Sequence, residues 1–553
     1  MEQENTKINK YERYKLRLSP YDFFPQIATL DFDNLGDADR YYLQDFGIFN
    51  ADFLEDAFTL RVRIAAGRLT PQEFSALAQI VSAYDLHIIL TARAGLQLHG
   101  LDAKNILDVF YKVNALGLTT WQSFGDNVRN IVCDVYDGVG EFCEIEVYPI
   151  LMQMQERVLK NPRYVGMLPR RISVGISGNR ANVLSLFAND LYFALAQKEN
   201  IFGFNVYMGG KNSEMAQNAD IFLQTSEVSD FFVAFIEAFF LHGSRGSRLK
   251  TRLFYMLENI GIEKFKAYIQ NEYKKPFQNA GQTILEKAKF NECQRLKDGS
   301  YAFCYQTDFA RLNAAQMHCI AQYASEHDAA IRLGIDHNIY LLGLKEADTA
   351  FAPAHKNATI LACAGSEYCP YSYWNIKDET SYLPLEKILK HRILVGFSGC
   401  AKGCARHQHS DIGLIGLRTN NFGNAEGGAR VFLGAQHTKG KSVGRMIFSM
   451  VPLQHLHTLL NLIIAMYEES GYGDFEMYAQ KVLNQYSEDF LALWFLLNLQ
   501  TGQKIKLLAR KNSSFEYEKS LFGVHFFGLE VLDFDDESFK KVISSLSKQL
   551  WTI

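Results

Sequence analysis

The chain contains itself twice. Residues 69–101, LTPQEFSALAQIVSAYDLHIILTARAGLQLHGL, align without a gap on 312–344, LNAAQMHCIAQYASEHDAAIRLGIDHNIYLLGL, with ten of 33 positions identical at an offset of 243. A second pair matches at an offset of 221, RISVGISG (171–178) on RILVGFSG (392–399), with Asp190 aligned on Asp411. A third, FNVYMGG (204–210) on ARVFLGA (429–435), follows at a slightly different offset. The order of elements is A–B–A′–B′. Such a chain folds as two related sets of elements, and special chemistry is to be sought where one copy departs from the other.

Within the first pair, Thr70, Pro71 and Glu73 form a capping-box start. Phe74, Leu77, Ala78, Val81 and Tyr84 then share one helical face, which predicts a helix over about 71–84. LHIIL (86–90) and LQLHG (96–100) read as two strands joined by the TARAG turn, and the second copy reads the same way with Asn313 as its cap. The second pair reads as a buried strand, a Gly turn and a helix. Strands interleaved with amphipathic helices imply α+β layers in two halves about a pseudo-twofold axis, with a ligand between the halves. Residues 270–300, rich in Lys, Asn, Gln and Glu, form the natural join.

At 553 residues and 48% hydrophobic, the chain fills several cores, so about two to four domains are expected. Its net charge of −4 gives no global reason to expect nucleic acid or anionic lipid as a partner. The most apolar stretch, 231–241, is interrupted by Glu237 and falls short of a membrane span. The polar start, MEQENTKINKYERYKL, has no signal-peptide core, so a cytoplasmic location is expected. Five of the nine cysteines, Cys133, Cys143, Cys293, Cys304 and Cys319, stand singly and read as small buried hydrophobes rather than a disulfide framework.

The other four cysteines are grouped. LACAGSEYCPYS supplies Cys363 and Cys369 as C-x5-C, and FSGCAKGCARHQHSDIGL supplies Cys400 and Cys404 as C-x3-C. Where B′ has Cys400 and Cys404, B has Asn179 and Val183, so the thiols are additions to the shared scaffold. Four thiolates suit a [4Fe–4S] cluster or an all-cysteine zinc site. The C-x5-C spacing and the Gly-rich loop favour iron–sulfur.

At these residues the chain resembles the assimilatory siroheme-type nitrite and sulfite reductases. The signature is C-x5-C followed by G-C-x3-C-x6-acidic-apolar-Gly, matched by Gly399, Cys400, Cys404, Asp411, Ile412 and Gly413, with Pro370 after Cys369. FTLRVRIAAG (58–67), GDNVRNIVC (125–133), LPRR (168–171) and ANDLYF (188–193) also fit, over about residues 50 to 450. The resemblance implies duplicated ferredoxin-like half-domains with siroheme between the halves, a cluster on Cys363, Cys369, Cys400 and Cys404, and Cys404 bridging cluster and siroheme. It divides the chain into an N-terminal extension (1–50), A (51–150), B (151–290), A′ (300–355), B′ (356–470) and a C-terminal extension of unassigned role (471–553), which holds DFLALWFLLNL and FDDESFKKV.

The activity implied is six-electron reduction of nitrite to ammonia or sulfite to sulfide. A noncatalytic siroheme or iron–sulfur protein of the same fold is the alternative. An oxyanion held on iron needs cationic partners. The family's substrate-side basic positions map onto Arg93, Arg129 and Arg171, with Arg93 and Arg129 also facing the siroheme carboxylates. Arg93 aligns with Asp336, so its charge is special to the first copy, whereas Arg171 aligns with Arg392. Arg171 stands where the family usually has lysine, and Ser173 where sulfite reductases carry a second lysine and nitrite reductases an asparagine. One cation fewer leans slightly toward nitrite, a monoanion. His99 is a further candidate proton donor, while the His407-x-His409 pair reads as solvated or helix-flanking. No GxGxxG fingerprint is found, so electrons come from an external donor, ferredoxin or a flavoprotein reductase.

Overall fold

The computed structural model describes residues 8–51, 54–288, 291–347, 351, 359–378, 380–419 and 426–501. They divide into two compact units, one of residues 1–211 and 215–356 and one of residues 212–214 and 357–553. FDDESFKKV lies outside the described residues.

In the first unit the A pair folds as its sequence dictates. Thr70 accepts from the Glu73 N–H while Glu73 accepts from the Thr70 N–H, starting the helix Pro71–Ala83. Asn313 and Gln316 do the same for the helix Ala314–Glu326. Phe74, Leu77, Ala78 and Val81 are buried. Tyr84 is the cap residue and turns to Asp108 instead of joining that face.

Each copy's hairpin sits in a five-stranded antiparallel sheet, His87–Thr91 and Gly95–Leu101 in one, Ala330–Leu333 and Ile339–Leu344 in the other. The fifth strand of each sheet comes from the other copy. Arg68–Leu69 pairs with the second copy's sheet (Leu69 opposite Ile331), and Arg311–Leu312 pairs with the first copy's sheet (Leu312 opposite Ile88). At the offset of the repeat these are the same contact made twice. The outer edges of His87–Thr91 and Ala330–Leu333 are thereby partly covered. The two A copies are not separate halves but one strand-exchanged pair, and the helices Pro71–Ala83 and Ala314–Glu326 pack together.

The B pair repeats its register as well. Val174–Ser177 runs parallel to Leu191–Lys198 with Val174 opposite Leu191, and in the second unit Val395–Ser398 runs parallel to Ile412–Thr419 with Val395 opposite Ile412. Ile201–Met208 and Gln217–Leu223 continue the first sheet antiparallel, as Glu426–Leu433 and Arg445–Pro452 continue the second. A helix follows each, Val228–His242 and Leu453–Ser470. In Val228–His242 the residues Phe231, Phe232, Phe235, Ile236 and Phe239 are buried, while Glu237 pairs with Arg163.

The described residues of the join, 270–288 and 291–300, are partly regular. They end the helix Ile262–Tyr273 and supply the strands Gln282–Thr283, Glu286–Lys287 and Cys293–Arg295. DFLALWFLLNL lies in the helix Glu488–Thr501 of the second unit. All nine cysteines are free; Cys133, Cys143 and Cys304 are buried as expected, but Cys293 is only half-buried and Cys319 is exposed. No described helix is long and apolar enough to cross a membrane.

The symmetry of the exchanged strands is testable. Leu69→Ala and Leu312→Ala remove the same buried contact from pseudo-equivalent sheets, so each is expected to destabilise the first unit by about 2–5 kcal/mol. Denaturant unfolding of the two variants should give losses that agree within about 1 kcal/mol.

Candidate active site

The loop Phe124–Asn130 organises the basic residues of the first unit, and each of its polar side chains has a separate task. Asp126 is fully buried and meets Lys15 (3.0 Å), Arg248 (2.6 Å) and Arg170 (3.4 Å). Despite the cost of burial, these three cations hold its carboxyl well below the usual range. Asn127 donates to the Phe124 carbonyl (2.9 Å) and to Asp45 (2.6 Å), and accepts from the Gly166 N–H (2.6 Å). Burial pushes the Asp45 carboxyl up to about 8, with the Asp126 charge adding to the rise. Asn130 donates to the carbonyls of Ile64 (2.6 Å) and Arg93 (2.8 Å).

Arg129 is the centre of the cluster. Its guanidinium donates to the carbonyls of Ser123 and Gly125, while its buried Nε has no protein partner. Burial first, then the fields of Arg171, Arg61, Arg93 and Arg170, depress its pKa well below the ordinary guanidinium range. A guanidinium does not deprotonate in practice. The strain therefore expresses a demand for a nearby anion.

Arg61 was not singled out by sequence reasoning, yet the structure brings it to this centre. It shares the Ser123 carbonyl with Arg129, at 3.3 Å, and its guanidinium lies 3.7 Å from the centroid of the Phe124 ring. The signal was present, because at the repeat offset its counterpart is Cys304, a loss of charge like that of Arg93 to Asp336.

Arg93 donates to the Asn130 carbonyl (2.9 Å) and to Asn189. Arg171 is half-buried within the field of Arg129. Ser173 is buried and gives its hydroxyl proton to Asp190 at 2.5 Å, and Asp190 is also paired with Arg252 at 2.8 Å. The second copy explains this contact. There Asp411 accepts the Leu394 N–H as Asp190 accepts the Ser173 N–H, so the acid of the signature ties two strands in both copies.

In the second unit the four cysteines lie on two turns. The Cys363 sulfur accepts the Gly399 N–H at 3.2 Å. A side chain at Gly399 would strike Ser372, and one at Gly403, whose φ is +67°, would strike Asn212 and His407. Cys404 is exposed, the other three half-buried.

Burial and the charge of Cys404 push Cys363 up to about 12, and burial with neighbouring thiols raises Cys369 and Cys400. Thiols raised in this way ionise together only around a cationic core. Among the described residues no three His, Cys, Asp or Glu side chains close on one ion. His407 and His409, expected to be solvated or helix-flanking, form a 3-10 turn and are buried, and burial lowers His407 to about 4.

The first copy shows the same scaffold without thiols. Its Val132–Gly175 bridge matches the Leu361–Gly396 pairing, which puts Asp134 at the place of Cys363. Asp134 accepts from Asn179 (3.2 Å) and from the Val183 N–H (2.8 Å), the counterparts of Cys400 and Cys404. Hydrogen bonds close there what the thiols leave open.

With this geometry in place, comparison with known proteins is specific. The family model described as the nitrite and sulphite reductase 4Fe-4S domain matches residues 124–277, and the nitrite/sulfite reductase ferredoxin-like half domain matches 54–116. The first match covers copy B, whereas the grouped cysteines stand in B′. A ferredoxin–nitrite reductase of Synechococcus elongatus is 28% identical over 493 residues, covering 83% of this chain and 96% of that protein. A ferredoxin sulfite reductase of Mycolicibacterium paratuberculosis is 26% identical over 423 residues, covering 70% and 75%. The solved structure of the Mycobacterium tuberculosis NirA protein shares the fold, with a TM-score of 0.79 and 21% identity over 88% of this chain and 98% of that one.

Fold and motifs together define an oxidoreductase class with duplicated α+β halves. The chain carries a ferredoxin-like half domain and a 4Fe-4S domain that match the nitrite and sulfite reductase models, a family whose cofactors are a [4Fe–4S] cluster and siroheme.

The anchoring of the arginine loop has a pH signature. Asp45 is protonated in the fold up to about pH 8 but ionises near 3.8 when unfolded. Its contribution is complete below the unfolded value and is lost as pH rises toward 8. Asp45→Asn should flatten this loss, so the stability difference between pH 5 and pH 8.5, measured by urea unfolding, should be smaller in the variant.

Proposed function

We propose that the chain reduces nitrite to ammonia by six electrons, with sulfite to sulfide as the second substrate, and takes its electrons from reduced ferredoxin. The observation that carries this reading is the gathering of Arg61, Arg93, Arg129 and Arg171 around a buried guanidinium whose protein partners are carbonyls. Such a site is built for an oxyanion. When bound, the cluster and siroheme supply electrons and the iron that holds the substrate.

In this reading Cys363, Cys369, Cys400 and Cys404 would hold the cluster, and Cys404, the most exposed, would be the one shared with siroheme. The arginines bind the anion, orient it and stabilise the oxygens that leave as water, with Arg93 and Arg129 also meeting the siroheme carboxylates. Arg171, unlike a lysine, holds the anion without yielding a proton. Ser173 contributes polarity but no charge, since its proton is engaged by Asp190. The count of cations thus favours the monoanion nitrite. The relatives named as ferredoxin-dependent nitrite and sulfite reductases support both substrates and the donor. A cytoplasmic location is part of this proposal.

Two substitutions test the reading. Cys404→Ser should abolish the electronic coupling of siroheme and cluster in the visible and electron-paramagnetic spectra, together with both activities, because a hydroxyl is a poor bridge between irons; retained turnover would remove Cys404 from the bridge. Arg129→Ala should lower kcat/KM for nitrite with siroheme still loaded, since one charge-assisted contact is worth about 1.5–3 kcal/mol. An unchanged kcat/KM would place the anion elsewhere.

A further inference from the structure

Arg61 reaches the cluster on the strand Leu54–Val62, and its cross-strand neighbour is Gln97 on the strand Gly95–Leu101. His99 lies two residues beyond Gln97, on the same face of the sheet. The three side chains form a row. The Gln97 amide is 3.1 Å from His99 Nε2 at one end and 3.1 Å from Arg61 Nε at the other, where it also meets Arg61 Nη2. His99 Nδ1 lies 3.3 Å from the Thr59 hydroxyl. His99 itself is buried.

This row poses a hydrogen-bonding problem with two solutions. Arg61 is always a donor, so it needs the amide oxygen of Gln97. The amide NH2 then points at His99 Nε2, which must be a bare lone pair. If Nε2 carries a proton, it claims the oxygen, and the NH2 is turned against Arg61. The Thr59 hydroxyl accepts or donates and so imposes no choice on Nδ1. A carboxamide has one oxygen and cannot serve both ends.

We propose that Gln97 is a two-position latch that holds Arg61 at the anion site while His99 is neutral and releases it when His99 is protonated. The proposal rests on the oxyanion site proposed above and assigns Gln97 and His99 as positioning residues for it. The groups that face His99 include Thr59 and Arg61 from the strand Leu54–Val62, Gln97 from its own strand, and His87, its cross-strand partner. His87 is exposed. The sign of the pH effect is diagnostic. A second positive charge near the site would by itself strengthen anion binding as pH falls, whereas the latch weakens it, because a direct charge-assisted contact is lost while the new charge acts from two side chains away.

The test is the dissociation constant of nitrite for the oxidised holoenzyme, read from the siroheme absorption without turnover, between about pH 5.5 and 7.5, the range in which histidine titrates. Nitrite stays a monoanion throughout. The wild type should bind about tenfold more weakly at the acid end. In Gln97→Glu, two carboxylate oxygens serve Arg61 and a protonated His99 at once, so the acid weakening should vanish. In His99→Gln, the row has no titrating group left and the affinity should not fall as pH falls.

A wild-type affinity that is flat or rises as pH falls overturns the latch, as does an acid weakening that persists in both variants. If siroheme-loaded enzyme binds no nitrite at any pH, the oxyanion site fails and the latch with it. A misfolded variant is recognised by lost siroheme, and the wild type and the other variant still decide the question.

Discussion

Like-charged groups gather only where something fixed holds them against their repulsion, and in the first unit that is the buried carboxylate of Asp126. Its partners Lys15, Arg170 and Arg248 come from three distant parts of the chain, so the loop that carries it is tied to the N-terminal helix and to both flanks. Losing one member of such a buried set costs on the order of 3–5 kcal/mol. With the loop fixed, the carbonyls of Ser123 and Gly125 become rigid acceptors for Arg61 and Arg129. Carbonyls orient a guanidinium without neutralising it. The positive potential is thereby built in advance, and in the function proposed above it is kept for the substrate.

What was legible in the sequence was what repeats or what chemistry makes rare. The capping boxes, the hairpins and the B strands follow from periodicity and from the duplication, and four cysteines at two spacings announce a cluster by residue type. Arg68–Leu69 and Arg311–Leu312 escaped because a two-residue strand has no period to detect; only the partner sheet defines it. Arg61 escaped because its relation to Arg129 passes through a carbonyl on a separate loop. The burial of His407 and His409 was hidden for a similar reason, since a polar local sequence does not disclose the sheet that packs over it. The engagement of Ser173 by Asp190 was readable only with Leu394 and Asp411 beside it, where the backbone half of the contact recurs.

The two B copies answer one problem in different ways. Three loop positions converge at the end of a parallel strand pair, and their polar groups must be satisfied. Copy B uses a carboxylate, an amide and a backbone N–H, and burial lifts Asp134 to about 6. Copy B′ uses sulfur, whose hydrogen bonds are weak and whose negative charge asks for metal. The scaffold is indifferent to the choice, so one fold carries structure in one copy and chemistry in the other.

The exchanged strands set an order on assembly. Leu69 is made early on the ribosome, but the edge it covers includes Ile331, and the first copy's own edge stays open until Leu312 emerges. Neither sheet closes while only one copy exists, so the first A hairpin waits with an unpaired edge while the whole of B is synthesised. Contacts so remote along the chain make folding slow and leave strand edges exposed to other chains in the interval. A nascent chain of this design needs protection until its second copy is out, and its shorter fragments are candidates for aggregation rather than for partial function.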